Sequence, residues 1–469
     1  MRIHFIAIGG SAMHSLAIAL HKKGFNITGS DDEIFEPSKG RLAKFGLLPK
    51  KTGWHPEKIT PDIDAIILGM HARANNPELI KAQELQLKVY SYPEFLYEQT
   101  KGKTRVVIGG SHGKTTITSM IMYVLRENSV LFDYMVGAQL EGFETMAGLS
   151  EESKIAVFEG DEYLSSPTDR RPKFHLYHPH IAVLSGIAWD HINVFPTFEG
   201  YVEQFRKFAE LTEPGGMLVY FEGDPLLKQI AGEQNHIKTI GYKTHPFVVE
   251  DKTTYLKVGE REIRLKVFGD HNLQNIAAAK AVCNTLNISD EEFYRAIRGF
   301  SGASRRLEAL SENDHTTVFH DFAHSPSKLR ATTKAVKQQF PERKLVACME
   351  LHTFSSLKKE FLTQYKRCME DADQAFVYFN HKTVEHKKLE PITPEMVAEG
   401  FEKEGLIVTT DSDWLFTELE KMDWNNANLL LMSSGNFDGM DLPSFAEKIT
   451  GDPVKFQRGD WIRNPQGKL

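Results

Sequence analysis

The chain has 469 residues, about three times the ~150 of a typical domain, so several separately cored parts are expected. Hydrophobic residues at 41%, charged residues at 25%, 34 Gly and 20 Pro exclude a disordered, collagenous or fibrous chain. With 56 Lys and Arg against 63 Asp and Glu, the formal charge is -7, and no basic block offers a footprint for nucleic-acid phosphate.

In chain order, the first elements read as an apolar strand over Ile3–Ile8, a Gly-Gly turn, a helix over Ala12–Lys22 and a strand over Phe25–Ser30. Further strands follow at Asp64–Leu68 and Val89–Ser91. Alternating strands and helices predict βαβ units and a parallel sheet. The polar stretch Gln99–Thr104 marks a first boundary, after which a strand at Arg105–Ile108 runs through a glycine turn into a helix over Thr115–Leu125. Apolar strands at Ile155–Phe158, Ile181–Leu184 and Met217–Tyr220 continue the pattern. From about Thr239 to Val267 short polar and apolar residues alternate, which predicts antiparallel strands. An alanine-rich helix over Asn275–Cys283 is followed, past Gly299–Ser304, by a third set of strands at 316–320, 344–349, 375–379, 407–409 and 428–432. The expected fold class is α/β in three parts: residues 1–103, 104–303 and 304–469.

No window approaches ~18 continuous apolar residues, and the N-terminal stretch reads as a strand rather than a signal peptide, so a cytoplasmic protein with no membrane or nucleic-acid partner is expected. Cys283, Cys348 and Cys368 are too few and scattered for a disulfide framework or a cysteine zinc site, and should be reduced and packed.

The strongest chemical signal is Gly109-Gly110-Ser111-His112-Gly113-Lys114-Thr115-Thr116, set between an apolar strand and a helix. Glycines let backbone N–H groups surround phosphate oxygens, the helix start adds positive potential, Lys114 adds a point charge and the Thr115 hydroxyl reaches for Mg²⁺. Strict G-x-x-x-x-G-K-T spacing fails, because Ile108 stands where its first glycine belongs. Phosphoryl transfer also needs groups that hold magnesium. Glu159, of Glu159-Gly-Asp161-Glu162, and His191, of Asp190-His191, each follow an apolar strand that should end at the loop's edge of the sheet. Taken singly, such residues are more often helix caps or solvated charges; the loop favours the metal reading.

These motifs resemble the Mur ligase family, the ATP-dependent amide-forming enzymes of peptidoglycan assembly. Gly110–Thr116 is similar to its G-x-x-G-K-T-T, Glu159–Glu162 to its E-x-D-E, Asp190-His191 to its D-H, and Gly269-Asp-His271-Asn272-Leu-Gln-Asn275 to its G-x-H-N-x-x-N. Arg305-Arg306-Leu-Glu and Asp321-Phe-Ala-His324-Ser-Pro326 resemble its R-R-x-E and D-[YF]-A-H-x-P. The resemblance implies a Rossmann-like domain for a UDP-sugar, a central ATPase and a C-terminal α/β domain closing over ATP and bringing the amine. It implies ATP and Mg²⁺ as cofactors and an acyl-phosphate mechanism. Gly110, Ser111, His112, Gly113, Lys114, Thr115 and Thr116 would hold phosphate; Thr115, Glu159 and His191 the metal; His271, Asn272 and Asn275 the adenine. Arg306, Asp321 and His324 would reach the nucleotide from the third domain. Gly9, Gly10, Ser11, Met13, Ser30, Asp31, Arg73, Tyr163, His352, Ser434 and Gly435 would face the substrates.

Glu159–Tyr163, Asp169–Pro179 and Met432–Gly439 are similar to the family members that add the tripeptide L-alanyl-γ-D-glutamyl-meso-diaminopimelate to UDP-N-acetylmuramate in peptidoglycan recycling, and that is the expected reaction. The alternative is the member that adds L-alanine in de novo synthesis. Glu350-Leu-His352-Thr-Phe-Ser355 departs from the E-P-R-S-N-T of the tripeptide group, and Asn193 stands where Asp commonly follows D-H. Two other classes stay in view. A GTPase would need an N-K-x-D motif, which is absent; a dehydrogenase could use Asp31, about 20 residues past Gly10, on a ribose.

Overall fold

Valine, isoleucine and leucine runs bounded by glycine turns give strands buried on both faces, the signature of parallel sheets covered by helices. In the computed structural model, residues 1–192 and 194–451 are described; Asn193 and the tail around Gln457–Arg463 lie outside them. Arg2–Ile6 (β1), Asn26–Ser30 (β2), Ala65–Leu68 (β3) and Val89–Ser91 (β4) form a parallel sheet in the order β2-β1-β3-β4. The predicted first strand is too long, since Ala7 already turns at φ 66°.

A seven-stranded sheet follows. Its strands are Thr104–Gly109 (β5), Phe132–Met135 (β6), Ala147–Gly148 (β7), Ile155–Glu159 (β8), Ile181–Leu184 (β9), Met217–Phe221 (β10) and Lys238–Tyr242 (β11), ordered β11-β10-β9-β5-β8-β6-β7. Only the β6–β7 pair is antiparallel among the pairings recorded. Thr239–Tyr242 therefore corrects the expectation of antiparallel strands from Thr239 onward. It lies in β11, an edge strand parallel to β10, exposed over Lys238–Ile240 and buried only at Tyr242. Beyond it, Phe247–Glu250 (β12), Thr253–Val258 (β13) and Arg261–Arg264 (β14) form a three-stranded sheet.

The last sheet comprises Glu308–Glu312 (β15), Thr316–Asp321 (β16), Lys344–Leu351 (β17), Gln374–Phe379 (β18), Ile407–Thr409 (β19) and Ala427–Met432 (β20), ordered β15-β16-β20-β17-β18-β19. β15 is antiparallel to β16 and the other pairs are parallel. The α/β fold class expected from the pattern stands.

The chain divides into two units. One contains Met1–Pro246, Leu256–Leu265 and His271–Phe300; the other contains Phe247–Tyr255, Lys266–Asp270 and the chain from Ser301 on. In the first unit one hydrophobic cluster runs from Ile3, Phe5, Leu16 and Leu20 beside the first sheet to Val107, Phe158, Leu184 and Phe208 beside the second. In the second unit Val318, Val346, Phe376, Leu415, Leu429 and Leu431 form another core. Cys283, Cys348 and Cys368 are free and buried, as expected. No described helix is long and apolar enough to cross a membrane.

Candidate active site

Strand register gathers the phosphate loop and its acids at one sheet edge. Ile108 of β5 stands opposite Glu159 of β8, and Gly109 opposite Leu184 of β9, so the loop, the E-x-D-E turn and the segment leading to His191 all leave the same carboxyl edge. Crevices beyond that edge are where α/β sheets bind ligands. The loop turns at Gly110 (φ 129°) and Gly113 (φ 78°), and the following helix, Lys114–Glu127, begins on Lys114. A Cβ on Gly113 would run into the amide oxygen of Asn275, which places Asn275, on the helix Asp270–Thr285, against the loop.

Two separate tethers organise the charges. Thr115 Oγ1 donates to Glu159 Oε1 at 2.9 Å, and the Gly137 N–H donates to Glu159 Oε2 at 2.6 Å. Lys114 Nζ donates to the Gly110 carbonyl at 2.6 Å and to Glu162 Oε2 at 2.7 Å. Burial works against the Lys114 charge, but Glu162, Asp161 and Glu159 outweigh it and raise the ammonium above its usual value. A further pair joins Lys173 Nζ to Asp161 Oδ2 at 2.5 Å; burial opposes the Asp161 charge, but Lys173 and Lys114 hold it well below the ordinary carboxylate range.

His191, in a left-handed conformation at φ 54°, puts Nε2 at 3.7 Å from Glu162 Oε1 and packs edge-on against Tyr163 with centroids 5.2 Å apart. It thus stands at the expected edge, in contact with Glu162. Among the described residues no cluster of three or more His, Cys, Asp or Glu side chains is set to hold a metal. The Thr115 hydroxyl and Glu159 carboxylate are oxygen ligands of the kind Mg²⁺ takes beside waters and phosphate, so the donor set fits that ion.

Sequence reasoning missed Tyr201, Lys173 as a partner of Asp161, and Glu162 as the partner of Lys114. Glu162 lay inside a quoted motif. Tyr201 carries only a helical signal: in the helix Phe198–Glu210 it falls on the buried stripe with Val202, Phe205, Phe208 and Ala209.

At the first sheet, Gly9 N donates to Asp31 Oδ2 at 2.7 Å, and the Ser30 carbonyl accepts from Ala7 and Ile8 N–H groups at 2.9 and 3.1 Å. Burial, with Asp32 adding to it, pushes Asp31 up to about 6. Ser11 begins the helix Ser11–Lys22 exposed, Met13 is buried in it, and Arg73 is exposed in the turn past β3. Gly10 offers its carbonyl to His14 Nδ1 at 2.9 Å.

In the second unit Asp321, Met432 and Met349 are level on adjacent strands, so the segments after them meet at one edge. Glu350 Oε2 accepts from the Ser433 hydroxyl and from Phe437 N, the latter at 2.9 Å, and His352 Nδ1 lies 3.5 Å from Glu350 Oε1. Gly435 has no room for a Cβ between Glu350 and His352, and the Ser434 hydroxyl oxygen is buried without a hydrogen-bond partner. Asp321 Oδ2 accepts from Thr332 at 2.6 Å, His324 Nδ1 lies 2.9 Å from the Phe322 carbonyl, and the Arg306 guanidinium covers the Phe322 ring at 4.8 Å. The structure brings Asp321, His324, His352, Ser434 and Gly435 to one edge.

Three family descriptions match in succession: "Mur ligase family, catalytic domain" over residues 2–104, "Mur ligase middle domain" over 108–283, and "Mur ligase, glutamate ligase domain" over 305–435. A UDP-N-acetylmuramate–L-alanine ligase of Lactobacillus helveticus is 32% identical over 390 residues, covering 80% of this chain and 84% of its own. The chain belongs to the Mur ligase family. It is an ATP-dependent ligase that forms a carbon–nitrogen bond. The homonymous enzyme of Carboxydothermus hydrogenoformans is 29% identical over 454 residues, covering 93% of this chain and 95% of its own. The fold also matches the UDP-N-acetylmuramate-alanine ligase of Thermotoga maritima (TM-score 0.69, 20% identity, 96% and 98% of the two chains) and a murein peptide ligase of Psychrobacter arcticus (TM-score 0.67, 20% identity, 96% and 99%).

The expected tripeptide substrate is corrected by these relatives, since those at 27–32% identity over most of the chain are L-alanine ligases. The segments that suggested a tripeptide have local duties. Tyr163 N donates to Asp161 Oδ1 at 3.2 Å, and Phe437 N to Glu350.

Proposed function

We propose that this ligase joins L-alanine to the lactyl carboxylate of UDP-N-acetylmuramate. The observation that carries the reading is the set of L-alanine ligases that align with 80–93% of the chain. A carboxylate is a poor electrophile, so the γ-phosphoryl group of ATP passes to a carboxylate oxygen and ADP leaves. The alanine nitrogen then attacks the acyl carbon, the C–N bond forms, phosphate departs and the amine loses a proton.

Lys114 neutralises charge growing on the transferred phosphoryl group, with the loop residues Gly110–Thr116 around it. Thr115, Glu159 and His191 would hold magnesium, which would supply charge neutralisation at the phosphates. His271, Asn272 and Asn275 face adenine; Arg306, Asp321 and His324 serve phosphate and ribose. Residues 1–103, with Gly9, Gly10, Ser11, Met13, Ser30, Asp31 and Arg73, take the UDP-sugar; residues 104–303 take ATP; residues 304–469, with His352, Ser434 and Gly435, take the amine, and Tyr163 lies beside the reacting groups. Both substrates are small and water-soluble, which suits a cytoplasmic enzyme.

The test is competition of L-alanine and the tripeptide for limiting UDP-N-acetylmuramate in the presence of ATP and Mg²⁺, with products weighed by mass spectrometry. UDP-N-acetylmuramoyl-L-alanine should predominate. A predominant tripeptide product overturns the reading of the amine, and no ADP release with either overturns the reaction.

A further inference from the structure

Tyr201 is wholly buried, yet its phenol oxygen lies among the charged groups of the phosphate site. Thr197 Oγ1 caps the start of its helix by accepting from Gly200 N at 3.1 Å, and Val202, Phe205, Phe208 and Ala209 anchor the helix in the core, so the ring has one fixed place. From there Tyr201 OH lies 3.1 Å from Glu162 Oε1 and 2.9 Å from Ser111 Oγ. Proton positions follow from the partners. A carboxylate paired with Lys114 only accepts, so the phenol proton goes to Glu162 and Ser111 donates to Tyr201, while Ser111 Oγ accepts from Ala188 N at 2.8 Å. The result is one directed chain, Ala188 N–H to Ser111 to Tyr201 to Glu162, ending on the carboxylate whose other oxygen holds Lys114 at 2.7 Å. Burial, with Glu162 adding to it, raises the phenol well above its usual value, so it stays a donor throughout the working range.

We infer that Tyr201 is a positioning residue for phosphoryl transfer: by fixing the Glu162 carboxylate and the Ser111 hydroxyl it sets where the Lys114 ammonium stands over the phosphate loop. A neutral phenol contributes no charge to the reaction. Its contribution is geometric, and small displacements of a charge that acts in the transition state reduce turnover steeply. The inference rests on the ligase reading for its carboxylate substrate only.

Tyr201→Phe keeps the ring and its packing and removes both hydrogen bonds. Hydroxylamine, which traps an acyl phosphate as a hydroxamate, replaces the amine, so phosphoryl transfer is read whatever amine the enzyme prefers. Wild type that forms hydroxamate from UDP-N-acetylmuramate but no alanyl product would refute the L-alanine assignment alone. Tyr201→Phe should lower kcat for hydroxamate by about 10- to 100-fold, leave KM for ATP within about threefold, and retain a cooperative melt. In a Glu162→Gln background the same substitution should change kcat by less than about twofold, because its route to Lys114 is already cut. Unchanged kcat in the single variant, an equal factor in both backgrounds, or a loss confined to KM would each overturn the inference, since a purely structural tyrosine gives additive effects.

Discussion

Asp31 holds a buried carboxylate against the Gly9 N–H, and Asp32 beside it adds a like charge. In the folded chain it titrates near 6, against 3.8 for an ordinary aspartate, so the folded state binds that proton more tightly than the unfolded one. Stability therefore falls as pH rises between about 4 and 6 and stays lower above that window, by at most about 3 kcal/mol for a shift of this size. Asp31→Asn keeps an oxygen to accept from Gly9 and removes the charge. Its melting temperature should exceed that of wild type at pH 7, and the difference should vanish below pH 4. A wild-type chain that gains stability on the variant as pH rises through that window would reverse the assigned direction. At the phosphate site the loop's hydroxyl and cation go to different acids: Glu159 accepts from Thr115 and the Gly137 N–H, and Glu162 accepts from Lys114 and Tyr201, one donor on each carboxylate oxygen.

At the scale of elements, the strand–loop–helix unit around Gly113 depends on a backbone shape that an L-residue resists. Gly113 sits at φ 78°, and an added Cβ would overlap the Asn275 amide. Gly113→Ala should lower stability by about 1–3 kcal/mol through left-handed strain and weaken ADP binding at least ~10-fold by displacing the loop's N–H groups. Thermal melts and calorimetric titration with ADP and Mg²⁺ check both, and a variant that binds ADP like wild type would mean that the loop does not hold the phosphates. This unit was legible in the sequence because glycine and lysine spacing is itself the physical requirement. Most strands were legible too, since Val106–Ile108 of β5, Ala156–Phe158 of β8 and Ile181–Leu184 of β9 are buried and apolar throughout. Tyr201 was not, because a buried aromatic at helical spacing looks the same whether its hydroxyl meets solvent, core or a carboxylate. The Lys114–Glu162 pair depends on which strand lies beside which, and chain order alone does not give the arrangement β9-β5-β8, whereas the Lys173–Asp161 pair closes the irregular connection between β8 and β9, where no periodicity marks it. Edge strand β11 was misread for a related reason: a parallel strand at a sheet edge is exposed and mixed in polarity, as antiparallel strands are. The amine was misassigned because the segments used to choose it stabilise local turns.

At the scale of the molecule, cores rather than sheets define what folds together. The first two sheets share one hydrophobic cluster, with Ile3, Phe5 and Leu20 joined to Phe158, Leu184 and Phe208, and polar contacts reinforce it: Lys44 donates to Glu144 at 2.5 Å and Arg41 to Gln139 at 2.8 Å. Cutting at residue 103 would expose part of that cluster to water, at roughly 25 cal/mol per Å² of apolar surface. Cutting at 300 respects it, because all segments of the first unit lie within residues 1–300, including the phosphate loop, Glu159, Glu162, His191 and Asn275. A fragment of residues 1–300 should therefore melt cooperatively, whereas a fragment of 104–303 should melt at least ~10 °C lower or populate a state that binds a hydrophobic dye. The longer fragment should form no ligase product, since Arg306, Asp321, His324 and His352 are missing from it. Circular dichroism melts of both fragments decide the point: equal midpoints would mean that the central sheet folds without the first, and that the shared cluster contributes packing without cooperativity.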